Sequence, residues 1–252
     1  MHCIAFISPL GGTGQTTLVA NVATALAARK WTSLAIDLCA QNALGLHLGL
    51  AEPAPDGWVP AVAAGRWWGD AASENSDSVG YLPYGEAQLE ETAALERLLA
   101  QPSWLGQQLH SLQLTAPTVV LMDVPQWPSP LARQALGCAD VVVVCLSASL
   151  RACKAQNLLQ HLFNQTEAKR AVVATDFDPR RKLQFDALQL LRQQWPDVLS
   201  SYVVHRDENV PAAMERLGCV CALTPNAQAA HDMQGVAGWI AQQCGLKAGT
   251  PS

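Results

Sequence analysis

Short apolar, β-branched runs alternate along the chain with longer stretches in which apolar residues recur every three or four positions. The first pattern predicts strands at 3–8, 33–37, 79–83, 118–123, 140–146, 170–176 and 201–204. The second predicts helices at about 15–29, 86–111, 129–136, 149–164, 180–194, 208–217 and 226–244. Runs this rich in Val, Ile and Leu suit strands buried on both faces, as in a parallel sheet covered by helices. Each strand feeds a helix, so the fold class is α/β, one doubly wound, mostly parallel sheet with helices on both faces. Residues 51–77, rich in Ala, Pro, Gly and Trp, read as a short helix between irregular connections. The expected organisation is one domain over 1–245 and a frayed tail over 246–252.

Composition narrows the class without naming a chemistry. At 252 residues and 50% hydrophobic, the chain can bury a sizeable core. It has no apolar run of about 18 residues, and Met1-His2-Cys3-Ile4 lacks the basic and apolar segments of a signal peptide, so a cytoplasmic protein is expected. The net charge of −5 gives no general attraction for nucleic acid or anionic membranes. The eight cysteines fall mostly in apolar segments without the spacing of a disulfide framework, and are expected as buried thiols.

The chemistry is carried by a glycine-rich loop between the first strand and first helix, Pro9-Leu10-Gly11-Gly12-Thr13-Gly14-Gln15-Thr16-Thr17. Glycines let the backbone turn sharply and approach a ligand, so that successive N–H groups face phosphate oxygens at a helix N-terminus. Gly11, Gly12 and Gly14 suit that role. A phosphate-binding loop normally has a lysine after its last glycine and then a hydroxyl residue for Mg²⁺. Here the lysine position is Gln15, while Thr16 keeps the hydroxyl. A hydrogen bond to a charged group contributes ~1.5–3 kcal/mol, so glutamine weakens nucleotide binding ~10- to 100-fold without abolishing it. Hydrolysis suffers more, because one lost stabiliser of the transition state costs ~10²–10³ in rate. Ligands of open parallel sheets bind at the carboxyl ends of strands. Asp123 ends one strand, where a carboxylate orients Mg²⁺ through its water shell, and Asp37 ends another. Cys39 stands where an acidic residue would orient water. The plain alternative is an ordinary strand-to-helix turn followed by a capping aspartate.

This loop, Ile36-Asp37-Leu38-Cys39, Met122-Asp123-Val124-Pro125 and His205-Arg206-Asp207-Glu208 resemble, in order, the motifs of MinD/ParA-type ATPases, a deviant-Walker class of P-loop proteins. The resemblance spans nearly the whole chain. Within the class it is most similar to the BcsQ-type cytosolic accessory proteins of bacterial cellulose synthase, through Gly57-Trp58, Asp70 onward, Tyr81-Leu82-Pro83-Tyr84-Gly85, Ala174-Thr175-Asp176-Phe177 and Cys39. The resemblance implies ATP and Mg²⁺ as cofactors, held in a nucleotide-sandwich homodimer. Gly11, Gly12, Gly14, Thr16, Thr17, Asp37 and Asp123 match the family pattern, with Thr13 and Gln15 in the same loop. Thr16, Asp37 and Asp123 fall at the metal, and Asp37 also stands near the attacking water. Thr175, Asp176, His205 and Asp207 fall at the base, where relatives use an asparagine, so adenine over guanine rests on the resemblance. Three positions depart. The lysine that crosses to the partner's phosphates is Leu10, the P-loop lysine is Gln15, and the acidic water-orienting residue is Cys39. The implied function is an ATP-binding regulator or scaffold of the cellulose synthase secretion complex with slow or absent hydrolysis, contacting its accessory subunits and reaching the membrane only through partners. An active partitioning-type ATPase and a nucleotide-free platform stay open.

Other features carry two readings each. Arg151 or Arg206 could replace the missing cations, or be solvated arginines. Cys219-Val220-Cys221 could hold a cluster between subunits, but its one-residue spacing and apolar neighbours favour a final buried strand. Lys169-Arg170 and Arg180-Arg181-Lys182 could meet DNA phosphates, or be helix ends; no nucleic acid is expected. The last helix, with Val236, Trp239 and Ile240, reads as core rather than a membrane anchor. Trp58, Trp67 and Trp68 suit an interface or a satellite core.

Overall fold

The Val- and Ile-rich runs form the middle of one eight-stranded sheet in the computed structural model, which describes residues 1–114 and 117–246. The strands are β1 (His2–Ile7), β2 (Thr32–Asp37), β3 (Ser73–Glu74), β4 (Gly80–Leu82), β5 (Thr118–Asp123), β6 (Val141–Ser147), β7 (Lys169–Phe177) and β8 (Leu199–His205). Their order is β3-β4-β2-β5-β1-β6-β7-β8, parallel throughout except for the short edge strand β3. All seven expected strands form, and β3 is an addition. Chain connections leave the central β1 toward β2 on one side and later pass to β6 on the other. The carboxyl end of β1, between β5 and β6, is therefore the switch point where a ligand of such a sheet binds.

Alternation along the strands builds two core layers. Ile4, Phe6, Val119, Leu121, Val141 and Val143 face α1 (Gln15–Ala28) and α12 (Gln228–Gln243). Ala5, Ile7, Val120, Met122, Val142 and Val144 face the opposite layer. That layer includes α3 (Trp58–Ala63), α4 (Leu89–Leu99), α5 (Trp104–Ser111), α6 (Pro130–Cys138), α7 (Leu150–Lys154), α8 (Gln156–Phe163) and α9 (Lys182–Gln194). Counting by twos from Leu121 and Ala35, Asp123 and Asp37 project into the α1 layer.

Three expectations are corrected. The helix placed over 86–111 is two, α4 and α5, because Pro102 interrupts the N–H ladder and Ser103 turns left-handed at φ 61°. The helix placed over 149–164 divides at Ala155 into α7 and α8. Cys219-Val220-Cys221 is no strand: Val220–Leu223 is the short helix α11, held to α1 by the Cys221 N–H donating to Asn21 Oδ1 at 3.1 Å. The connection at 51–77 contains α3, a 3-10 turn at Trp68–Ala71 and β3, with α2 (Leu44–His47) before it. Between α11 and β8 lies α10 (Asn209–Glu215). Residues 247–252 of the expected tail lie outside the described residues, as do 115 and 116.

Candidate functional site

The loop after β1 takes the shape of a cradle. Gly12 and Gly14 sit at φ 72° and 69°, a left-handed conformation that favours glycine. A Cβ at either would meet nothing within 4 Å, so backbone conformation rather than crowding calls for glycine here. Gly14 caps α1 with no side-chain acceptor, which leaves the helix N-terminus open. Among the described residues, none of the backbone N–H groups from Gly11 to Thr17 has a hydrogen-bond acceptor. The cradle is pinned at its base: Gln126 Nε2 donates to Pro9 O at 3.0 Å, the Leu10 N–H to Ser8 Oγ at 3.1 Å, and Thr175 Oγ1 to Thr13 O at 2.6 Å. Leu10 is only 9% exposed and turns into the core, so the side chain at this position does not reach out toward a partner.

The carboxylates stand directly beneath. Asp37 and Asp123 are paired in register at the ends of β2 and β5, and both are fully buried. Thr16 Oγ1 donates to Asp123 Oδ2 at 2.7 Å, and Gln15 Nε2 donates to Asp123 Oδ1 at 2.5 Å and to Val124 O at 2.8 Å. Asp37 accepts the N–H groups of Cys39 at 2.9 Å and Leu44 at 3.0 Å, while the Trp58 indole donates to the Asp37 carbonyl at 2.8 Å. Burial, with the Asp123 charge adding, pushes Asp37 up to about 7. Burial pushes Asp123 up to about 6 against the hydrogen bonds from Thr16 and Gln15. The Cys39 thiol is raised far above its usual range by burial and the two neighbouring carboxylates, and donates to Asp123 O at 3.5 Å. Donor atoms of Asp37, Cys39 and Asp123 lie within 4.8 Å of one another; the two carboxylates are the oxygen ligands a hard divalent cation takes, and the unionised Cys39 thiol is not.

A trough runs from this cradle toward β7 and β8. One cleft of about 390 Å³ is lined by Gly11 to Thr17 together with Cys39, Gln41 and Gln126. A second cavity of about 250 Å³ is lined by Thr175, Asp176, His205, Arg206 and Asp207, and the two share Thr13, Gly14 and Thr17. The parallel register explains the grouping, because Ser147 pairs with Thr175 and Phe177 with His205 along the carboxyl edge. Asp176, at φ 52°, accepts from Arg206 Nε at 2.9 Å. His205 Nδ1 is paired with Asp232 Oδ2 at 2.9 Å, and Asp207 accepts the N–H groups of Asn209 and Ala229. Those acceptor bonds hold the Asp207 carboxyl below its usual range against the opposing effect of its burial.

Every loop and base residue expected from sequence thus lines one trough; of the expected metal residues Thr16 lines it too, while Asp37 and Asp123 are buried beneath and line neither cavity. Gln126, Gln41 and Asp232 were not anticipated. Gln126 follows the Asp123 motif closely enough to have been found; Asp232 gives no signal outside the fold. Arg151 is exposed on α7 and lines neither cavity. Lys169 Nζ donates to Gln243 O, Arg170 lies over the Phe163 ring, and Arg180 and Arg181 flank Asp178. Cys219 and Cys221 are buried, with thiols facing the carbonyls of His47 and Ala230. Trp58 and Trp68 are core, whereas Trp67 is exposed and donates to Ser111.

Comparison with known proteins supports the fold. The family described as "Cellulose biosynthesis protein BcsQ" matches residues 1–241. The protein of that name from Escherichia coli (strain K12) is 25% identical over 240 residues, covering 94% of this chain and 93% of its own. The septum site-determining protein MinD complexed with Mg-ADP from Pyrococcus horikoshii superposes with a TM-score of 0.79 at 20% identity, covering 97% of each chain. Cobyrinic acid a,c-diamide synthase from Mycobacterium smegmatis, with bound ATP analogue and magnesium, gives 0.77 at 18% identity, covering both chains completely. The chain therefore has the MinD/ParA-type P-loop fold and belongs to the BcsQ family of cellulose biosynthesis proteins.

Proposed function

We propose that residues 1–245 form one domain that binds ATP with Mg²⁺ in this trough and closes as a nucleotide-sandwich homodimer. The dimer regulates or scaffolds the bacterial cellulose synthase secretion complex, with slow or absent hydrolysis. The observation that carries the reading is the run of unpartnered N–H groups from Gly11 to Thr17 at an uncapped helix N-terminus, whose positive potential suits phosphate. The purine would enter the cavity at Thr175, Asp176, His205 and Asp207. The cation fits the oxygens below: Thr16 Oγ1, which reaches Asp123 Oδ2 at 2.7 Å, would hold it directly, and Asp37 and Asp123 would hold it partly through water. When bound, it neutralises phosphate charge.

Weak turnover follows from the chain's own residues. Leu10 is turned into the core, and the Gln15 amide is committed to Asp123 and Val124. The Cys39 thiol is held unionised by burial and so is no base. No helix among the described residues is long and apolar enough to cross a membrane, in keeping with a cytoplasmic chain recruited through accessory subunits of the complex.

The same bonds favour a second reading, a platform that binds no nucleotide, because Gln15 and Thr16 satisfy Asp123 without any ligand. Calorimetric titration with Mg²⁺ and ATP separates the two. Saturable binding that Asp123→Ala or Gly14→Asp weakens tenfold or more supports the nucleotide switch; no heat with the folded parent supports the platform.

A further inference from the structure

Four large apolar side chains that the fold leaves exposed, Leu150, Leu183, Phe185 and Leu190, gather on α7 and α9. The helix α9 carries two apolar stripes. Ala187, Leu188 and Leu191 enter the core, whereas Leu183 and Leu190 stay exposed and, over the buried floor of Ala187 and Cys153, join Leu150 in lining a groove of about 420 Å³ between α9 and α7. Leu183 is 83% exposed and Leu150 62%, and a second apolar stripe on a helix already anchored by its first marks an interaction surface.

The helices that form this groove carry an excess of basic side chains, although the one charge in its lining is Asp186. Arg151 and Lys154 on α7 have no ion pair among the described residues. Arg180, Arg181 and Lys182 outnumber their partners Asp178 and Asp186 at the start of α9. This concentration stands out in a chain of net charge −5. The opposite pattern occurs at the N-terminus of α4. There Leu89, 82% exposed, stands between Glu86 and Glu90, with Glu96 further along, and none of these carboxylates is ion-paired among the described residues.

We propose that the acidic Leu89 ridge of α4 docks into the α7–α9 groove of a second copy of this chain, and the reverse, so that two such contacts flank the nucleotide-sandwich dimer. The placement rests on that dimer reading and on topology. Leu95 of α4, Cys153 of α7 and Leu191 of α9 pack in one core layer, so all three helices cover the same sheet face. They follow β4, β6 and β7, with β4 on one side of β1 and the other two on the opposite side. A two-fold axis through the loop after β1, normal to the sheet, carries α4 of one copy over α7 and α9 of the other. Charge complementarity selects this occupant: the groove is too apolar for nucleic acid, and its concave shape suits a helix better than a flat bilayer.

The test is a charge swap in the full chain, read by sedimentation with and without Mg²⁺ and ATP. One variant carries Arg151→Glu and Lys182→Glu, the other Glu86→Lys and Glu90→Lys, all at exposed positions. Each variant alone should self-associate about tenfold more weakly than the parent, because acid then faces acid or base faces base. An equimolar mixture should recover the parent's association, since both contacts are complementary again; that recovery also excludes misfolding. Unchanged self-association of both variants, or no recovery on mixing, overturns the proposal while leaving an ATP-dependent parent dimer intact. If the swap acts equally without nucleotide, the contact stands and the sandwich reading fails. If Leu183→Glu abolishes binding to anionic vesicles or duplex DNA while self-association is unchanged, the groove serves those surfaces and the proposal is overturned.

Discussion

Gln15 Nε2 lies 2.5 Å from Asp123 Oδ1 and 2.8 Å from the Val124 carbonyl, so both hydrogens of its amide are spent on the segment that leaves β5. A phosphate-binding loop normally extends a cation from this position. Here the side chain ties the start of α1 to the end of the neighbouring strand and leaves phosphate recognition to backbone N–H groups.

Restoring the cation should therefore strengthen nucleotide binding. Gln15→Lys is expected to lower the dissociation constant for Mg²⁺ and ATP ~10- to 100-fold, the equivalent of one charge-assisted hydrogen bond of ~1.5–3 kcal/mol. Titration calorimetry reads this directly. An unchanged constant would mean that the trough does not place phosphate at α1.

The backbone requirement at Gly14 gives a separate expectation. Ala at φ 69° costs about 1 kcal/mol in left-handed strain but meets no neighbour, so Gly14→Ala should fold with a correspondingly lower denaturation midpoint. Its affinity for Mg²⁺ and ATP should fall more than its stability does, because relaxation of the loop redirects the N–H groups. Equal losses in both would remove the cradle from the account.

Asp37 makes stability depend on pH in a definite direction. Its folded value, about 7, is above the ordinary carboxylate value, so the native state holds a proton that the unfolded chain has already released. Its contribution is complete below about pH 4 and is lost as pH rises toward 7, at most about 1.4 kcal/mol per pH unit. Half-buried His47 is lowered by desolvation and acts in the opposite direction, so the comparison is with Asp37→Asn, which retains it. Relative to that variant, the nucleotide-free parent should lose stability between pH 5 and 7 in urea denaturation. A gap that stays constant or moves the other way contradicts the assignment.

Trp58 joins the connection at 51–77 to the site through its indole, which donates to the Asp37 carbonyl and packs near Trp68, Tyr84 and Trp104. Trp58→Phe leaves that buried carbonyl without its donor and opens space, and should cost about 2–4 kcal/mol in urea denaturation. A loss below 0.5 kcal/mol would show that the indole bond contributes little.

Much of this was legible in the sequence because it is local. The strand pattern places the loop, Asp37 and Asp123 at one carboxyl edge, and Thr175 and His205 join them through the family resemblance. The helix placed over 86–111 hid the stop at Pro102 and Ser103 because apolar periodicity continues across it. Cys219-Val220-Cys221 was misassigned because a short apolar run fits a buried strand and a buried helical turn equally well. Gln15 was identified as a missing lysine, but its bonds to Asp123 join residues 108 positions apart, and only strand pairing brings them together. The Asp232 partner of His205 and the second stripe of α9 likewise depend on how helices are laid against the sheet.

The most direct test of the central claim is sedimentation of the purified chain with Mg²⁺ and ATP, with Mg²⁺ and ADP, and without nucleotide, followed by analysis of the nucleotide that remains bound. The account predicts a dimer only with ATP, retaining uncleaved ATP. An oligomeric state that never changes, with no nucleotide retained, would contradict it.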